Sequence, residues 1–162
     1  MSKQPTSKLI WQHIEAIGTC MMVTHDGDDV RARPMRGISR PEQNAIWFFA
    51  DRESRSDEEM RQNPVVCLTY TSQNNEVYLS VSGRMSRVVG KATIAELWNE
   101  DAGAYFPNGP DDPRVVLLRF EPEIAEYWTA PSSPIVIAIK FLEARLLGER
   151  PSLGTNGRTR LP

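Results

Sequence analysis

The stretch Ala45-Ile46-Trp47-Phe48-Phe49-Ala50-Asp51-Arg52-Glu53-Ser54-Arg55-Ser56-Asp57-Glu58-Glu59-Met60 decides how the rest of the chain is read. Its first half is aromatic and β-branched and too short for a helix, so Ile46 to Ala50 reads as a buried strand. Its second half reads as a helix start. Ser56 and Glu59 have capping-box spacing, the acidic first turn suits the positive end of the helix dipole, and Asn63-Pro64 ends the helix. A strand that delivers two serines and an arginine to a helix N-terminus can close hydroxyls, free N–H groups and a guanidinium fork on a phosphate. The plainer alternative is a capped surface helix. The residues alone favour it, because Ser-x-x-Glu is common and Asp57, Glu58 and Glu59 would repel an anion.

On the N-terminal side, Ile10, Ile14 and Ile17 fall at helical spacing and Gly18 stops the turn, which predicts an amphipathic helix over 7–17. Thr19 to Thr24 and Val30 to Gly37 then flank His25-Asp26-Gly27-Asp28, a hairpin signal. Pro34 cannot donate to a ladder, so the second strand belongs at an edge or bulge. That edge carries Arg31, Arg33 and Arg36, with Arg31 and Arg33 on one face. Read from the residues alone, these arginines are a solvated edge blunted by charge.

On the C-terminal side, Val65 to Tyr70 is an apolar strand, and Val77, Leu79 and Val81 alternate into Gly83, where a bend or bulge is expected before Met85 and Val88. Lys91 to Ala104 reads as one helix, followed by the stiff loop Tyr105 to Pro113. Two strands, Val115 to Phe120 and Ile124 to Thr129, are expected to pair with each other across Glu121-Pro122. A helix over 135–147 ends at Gly148, and the basic tail from Arg150 reads as mobile.

At 162 residues, 40% hydrophobic and 25% charged, the chain has the composition of one soluble globular domain. A net charge of −2 favours neither nucleic acid nor an acidic-tail function. The longest aliphatic run, Ile135 to Ile139, is too short to span a bilayer and residues 1–5 lack the apolar core of a signal peptide, so a cytoplasmic protein without a membrane partner is expected. Cys20 and Cys67 lie in apolar strands, and His13 and His25 have no neighbouring ligand, so no metal site is expected. Short strands with hairpin connections and no βαβ alternation argue for an α+β domain whose antiparallel sheet of six or seven strands closes as a barrel with peripheral helices. The domain is read over 1–148, with a flexible tail over 149–162.

Several stretches together resemble the general stress protein 26 branch of the pyridoxamine-phosphate-oxidase-like, FMN-binding split-barrel family. They are Arg33-Pro34-Met35, Trp47-Phe48-Phe49-Ala50-Asp51 running into Ser54-Arg55, Leu97-Trp98-Asn99, Phe106 to Pro113, and Glu126-Tyr127-Trp128. Their order and spacing, over about Ile10 to Gly148, carry the resemblance. It implies a homodimer with FMN in a cleft between two split barrels. Arg33 and Met35 would line the cofactor, Phe49 and Ala50 would offer backbone groups to the ring, and Ser54, Arg55 and Ser56 would hold the phosphate. Trp128 would reach the flavin bound mainly by the other chain.

The chain departs from the family's pattern in two places. Where the family usually reads Ser-Arg-Lys, this chain has Ser54-Arg55-Ser56 followed by Asp57, which should weaken the hold on a phosphate. Pro134-Ile135-Val136 stands near where the oxidases carry an Arg-x-His grip on pyridoxamine phosphate, so that activity is not expected. Arg160-Leu161-Pro162 echoes the oxidase C-terminus, but no strand is read before it and the match is treated as chance. The resemblance therefore implies an FMN-dependent oxidoreductase acting on a small molecule, with the chemistry carried by the flavin. The alternative is a non-catalytic carrier or sensor that binds a flavin or another phosphorylated ligand in the same cleft.

Overall fold

A computed structural model of the chain describes residues 6–74, 76–130, 134–148, 150 and 154–162. Helix α1 (Ser7–Ile17) is capped by Thr6, whose hydroxyl accepts from the Leu9 N–H at 3.3 Å, and it buries Ile10, Trp11 and Ile14 against the sheet. Strands β1 (Thr19–Asp26) and β2 (Asp29–Arg36) form the expected hairpin, and β2 lies at an edge, as Pro34 requires. After Gly37 comes β3 (Ile38–Arg40), then a single 3-10 turn, then β4 (Ala45–Asp51), antiparallel to β3. Strand β3 is an addition to the sequence reading. At three residues it is too short for any periodicity to show.

Helix α2 (Arg55–Gln62), β5 (Val65–Ser72), β6 (Val77–Val88), α3 (Lys91–Leu97), α4 (Glu100–Tyr105), β7 (Val115–Thr129), α5 (Pro134–Leu147) and β8 (Thr155–Arg160) follow among the described residues. The order in the sheet is β2-β1-β5-β6-β7-β4-β3, with β8 also on β7, so the antiparallel α+β architecture is as expected, with eight strands in place of six or seven. Strands β2 and β3 stand at opposite ends of that order, yet only Gly37 separates them in the chain. The sheet must therefore curl until its two edges meet, which is the geometry of a split barrel. Glycine is required at the junction, because a Cβ there would sit 2.6 Å from Ile46 Cγ2.

Strand β4 is buried on both faces, and this explains its unbroken apolar sequence. Ile46, Phe48 and Ala50 point into the barrel with Leu68, Tyr70, Leu118 and Phe120. Ala45 and Trp47 point outward into a second cluster with Ile94, Leu97, Phe106, Val115 and Leu117, supplied by α3, the loop after α4 and β7.

Four expectations are corrected. The cap of α2 is Ser54, whose hydroxyl accepts from the Asp57 N–H at 3.3 Å, so the helix begins two residues before the Ser56–Glu59 box and Glu59 is free to turn inward. The single helix over Lys91 to Ala104 is two helices, because the Asn99 side chain accepts from Ala102 N–H at 2.9 Å and starts α4 afresh. Val115–Thr129 is one strand, not a hairpin across Glu121-Pro122. Both of its halves pair with β6, and a register shift at Ser82/Gly83 opposite Pro122 absorbs the missing N–H. Gly83 allows that bulge, since a Cβ there would lie 2.1 Å from the Glu121 carbonyl oxygen.

The fourth correction concerns the tail, which is read from sequence as flexible. Strand β4 pairs only with the first half of β7, and residues 155–160 pair with the second half from Ile124 to Thr129. Leu161 is buried in the barrel core, so a strand does precede Arg160-Leu161-Pro162. The run Thr155-Asn156-Gly157-Arg158-Thr159-Arg160 has no apolar alternation. Only an unpaired edge elsewhere in the chain calls it into the sheet. No helix among the described residues is long and apolar enough to cross a membrane.

Candidate functional site

The curl that brings β2 to β3 opens a cleft of about 550 Å³ beside the end of β4. One wall is the segment from Pro34 to Ile38, the floor is Phe49-Ala50-Asp51 with Ser54, and the far wall is α4 with its flanking residues Asn99 and Phe106, with Arg114 at the side. Met35 is half-buried and packs on the barrel core, while Phe49 meets Trp98 edge-to-face with ring centroids 5.5 Å apart. Two ion pairs brace the walls. Arg36 Nε lies 2.8 Å from Asp101 Oδ2, joining β2 to α4, and Arg114 pairs with Asp51. The Arg114 hydrogen bond, helped by the Glu53 N–H, holds the Asp51 carboxyl below the usual carboxylate range.

Next to the cleft lies a compact cluster of charge. Alternation along the β1–β2 hairpin places Thr24, Arg31 and Arg33 on the face that α2 covers, and α2 presents Glu59 to them. Glu59 is only 3% exposed. The Thr24 hydroxyl donates to Glu59 Oε2 at 2.6 Å and accepts from Arg33 Nη2 at 2.6 Å, and the same Nη2 also donates to Glu59. Arg31 Nη1 reaches Glu59 Oε1 at 3.3 Å and Arg55 Nε lies 3.6 Å from it. Asp26 closes the cluster from the hairpin end, paired with Arg55 and, at 3.9 Å, with Arg31. Burial alone would raise the Glu59 pKa, but the hydrogen bonds from Thr24 and Arg33 and the charges of Arg33 and Arg31 bring it below the ordinary value. Nearby, buried Asp57 is held by Arg87 of β6 at 3.2 Å.

The structure thus brings Met35, Phe49, Ala50 and Ser54 to one cleft and places Arg33 and Arg55 in the adjoining cluster. The backbone of Ser56 lies in the first turn of α2, and its side chain is outside the described residues. Trp128 stands apart on the far half of β7, between Tyr78 of β6 and Asn156 of β8, and is 39% exposed. Sequence reasoning missed the α4 wall and the role of Glu59. Available signals were the shared face of Arg31 and Arg33, which extends by register to Thr24, and the Asn99 cap.

The family profile described as pyridoxamine 5'-phosphate oxidase like matches residues 5–152. The chain belongs to that family. Among solved structures in this oxidase-like fold, a general stress FMN/FAD binding protein from the phytopathogen Xanthomonas citri is 27% identical, covers 78% of this chain and 89% of its own, and superposes with a TM-score of 0.68. A structure assigned to general stress protein 26 from Jannaschia sp. CCS1 shares the fold over 96% of this chain and 99% of its own, at 22% identity and a TM-score of 0.69. A protein related to general stress protein 26 from Clostridium acetobutylicum shares it over 77% and 91%, at 21% identity and a TM-score of 0.68. No curated protein matches the chain. The general stress protein 26 resemblance read from the sequence is thereby borne out.

A flavin in an oxidase-like cleft needs apolar surface against the faces of a planar ring and donors for its polar tail. The apolar wall of Met35, Phe49 and Phe106 fits the first. For the second, Arg33 Nη1 is buried and has no partner among the described residues, a donor that an anion oxygen would satisfy.

Proposed function

We propose that this chain is a flavin-binding general stress-type protein that seats FMN in the cleft between β2, β4 and α4 and serves as an oxidoreductase for a small molecule. The observation that carries the reading is an apolar cleft lined by Met35, with the part-buried Arg33 two positions away on β2 and its Nη1 buried and without a partner among the described residues. When bound, FMN would supply the electron-transfer chemistry. The chain's own residues bind and orient: Met35 and Phe49 flank the ring, backbone groups of Phe49 and Ala50 face it, and Ser54 with the first-turn N–H groups of α2 faces the polar tail. The 27% identical Xanthomonas citri protein, described as FMN/FAD binding, supports the same reading. Adding FMN to the purified protein is expected to shift the flavin absorbance bands and quench flavin fluorescence. No change with FMN, FAD or riboflavin would refute the proposal. A carrier or sensor without turnover is the second reading, favoured by the carboxylates already paired with the arginines.

The same proposal includes a homodimer. Helix α5 exposes Ile139, Phe141, Leu142, Leu146 and Leu147, and the cross-strand pair Tyr78 and Trp128 is also exposed, an apolar surface that a second copy would cover. In the dimer Trp128 would reach the partner's cleft. Sedimentation at low micromolar concentration is expected to show a dimer. Leu142 and Leu146 share a helical face, and burying each contributes about 1.5–3 kcal/mol, so Leu142→Glu with Leu146→Glu should weaken association by roughly 100-fold or more. A parent protein that sediments only as a monomer would sink the idea.

A further inference from the structure

We infer that Glu59 already occupies the anion position of the arginine cluster, so that the cleft selects a flavin by its ring and ribityl chain and gains little from a terminal phosphate. This rests on the flavin reading above. Arg33 could offer an incoming phosphate a two-pronged Nη1/Nη2 fork, but its Nη2 is committed to Glu59 and Thr24, which leaves Nη1 alone of that pair. Arg31 and Arg55 are shared between Glu59 and Asp26. Three guanidiniums against two carboxylates leave one net positive charge, whereas a phosphate monoester brings about 1.5 to 2 negative charges. Asp57 neither adds to this balance nor relieves it, because Arg87 of β6 holds it.

A phosphate could recover the Arg33 fork only by displacing Glu59, which is buried and whose ion-pair partners among the described residues are these same three arginines. Arg55 is the cheaper donor. Its side chain is 68% exposed, so its pair with Asp26 is screened and easily opened. The phosphate is therefore expected to gain one spare donor and one exposed cation, and FMN and riboflavin should bind within about threefold of each other.

The test is a fluorescence titration of FMN and riboflavin with the parent protein, Glu59→Gln and Asp26→Asn at fixed ionic strength. Glutamine keeps an oxygen for Thr24 and Arg33 but removes the charge. Glu59→Gln should then tighten FMN by about tenfold or more, the size of one charge-assisted hydrogen bond, and leave riboflavin within about twofold. Asp26→Asn, nearer the surface, should tighten FMN by roughly two- to threefold. Should Glu59→Gln fail to fold, the parent protein decides alone: similar salt dependence for FMN and riboflavin supports the inference, and a steep loss of FMN alone with salt overturns it. A parent that prefers FMN by more than about thirtyfold, with no gain in Glu59→Gln, also overturns it while leaving the flavin reading intact. Failure of all three proteins to bind either ligand overturns the flavin reading and this inference with it.

Discussion

Replacing Trp47 by alanine is expected to destabilise the protein by about 3–5 kcal/mol, the usual cost of truncating a core aromatic. The side chain is 7% exposed on the outer face of β4, where it anchors the cluster with Ile94, Leu97, Phe106 and Leu117. Its indole N–H donates to Gln43 Oε1 at 3.3 Å, and the Arg119 guanidinium stands 5.9 Å from its ring. These contacts hold α3 and the end of α4 onto the barrel, and α4 is a wall of the cleft. At roughly 2–4 °C per kcal/mol for a chain of this size, the thermal midpoint should fall by about 6–20 °C, with ligand binding lost in parallel. A midpoint within a degree of the parent would mean that the outer face of β4 is not a core.

Elements set by local signals were legible in the sequence, and those set by distant partners were not. The spacing of Ile10, Ile14 and Ile17, the Asp-Gly turn and the apolar run into Asp51 each announced an element that the structure contains. Strand β8 lacks such a signal, because its pairing is dictated by the free edge of β7. The unity of β7 was hidden by Pro122, which a bulge beside Gly83 accommodates. Around the cleft, the resemblance pointed to Met35, Phe49, Ala50 and Ser54, and the fold gathers these four. Glu59 was read as a helix-cap residue that would repel an anion. With Ser54 capping the helix, Glu59 falls two positions further along α2, on the face that meets Thr24 and Arg33. That meeting joins residues 26 to 35 positions apart, which no local pattern encodes.

Arg33→Ala is expected to cost about 2–3 kcal/mol at neutral pH, because it removes the least exposed of the three cations that hold the buried Glu59 carboxylate. Arg31 and Arg55 reach only Oε1, so Oε2 would keep the Thr24 hydroxyl alone. The pH dependence identifies the cause. In the parent the Glu59 pKa is lowered on folding, so its contribution is complete above the unfolded value of about 4.3 and is lost as pH falls through the folded value. Without Arg33 the effect of burial gains weight and the pKa rises. Protonation then relieves the variant at a pH where the parent is still ionised. The stability gap between the two proteins should therefore be widest near neutral pH and shrink below about pH 4. Adding Glu59→Gln to Arg33→Ala removes the under-compensated charge and should recover part of the loss, since a neutral group is cheaper to bury than a carboxylate that has lost its least exposed cation. Urea unfolding at neutral and acidic pH measures all three proteins. A gap that stays constant with pH, or a double variant no more stable than Arg33→Ala, would show that Arg33 stabilises the fold through packing and not by holding the Glu59 charge.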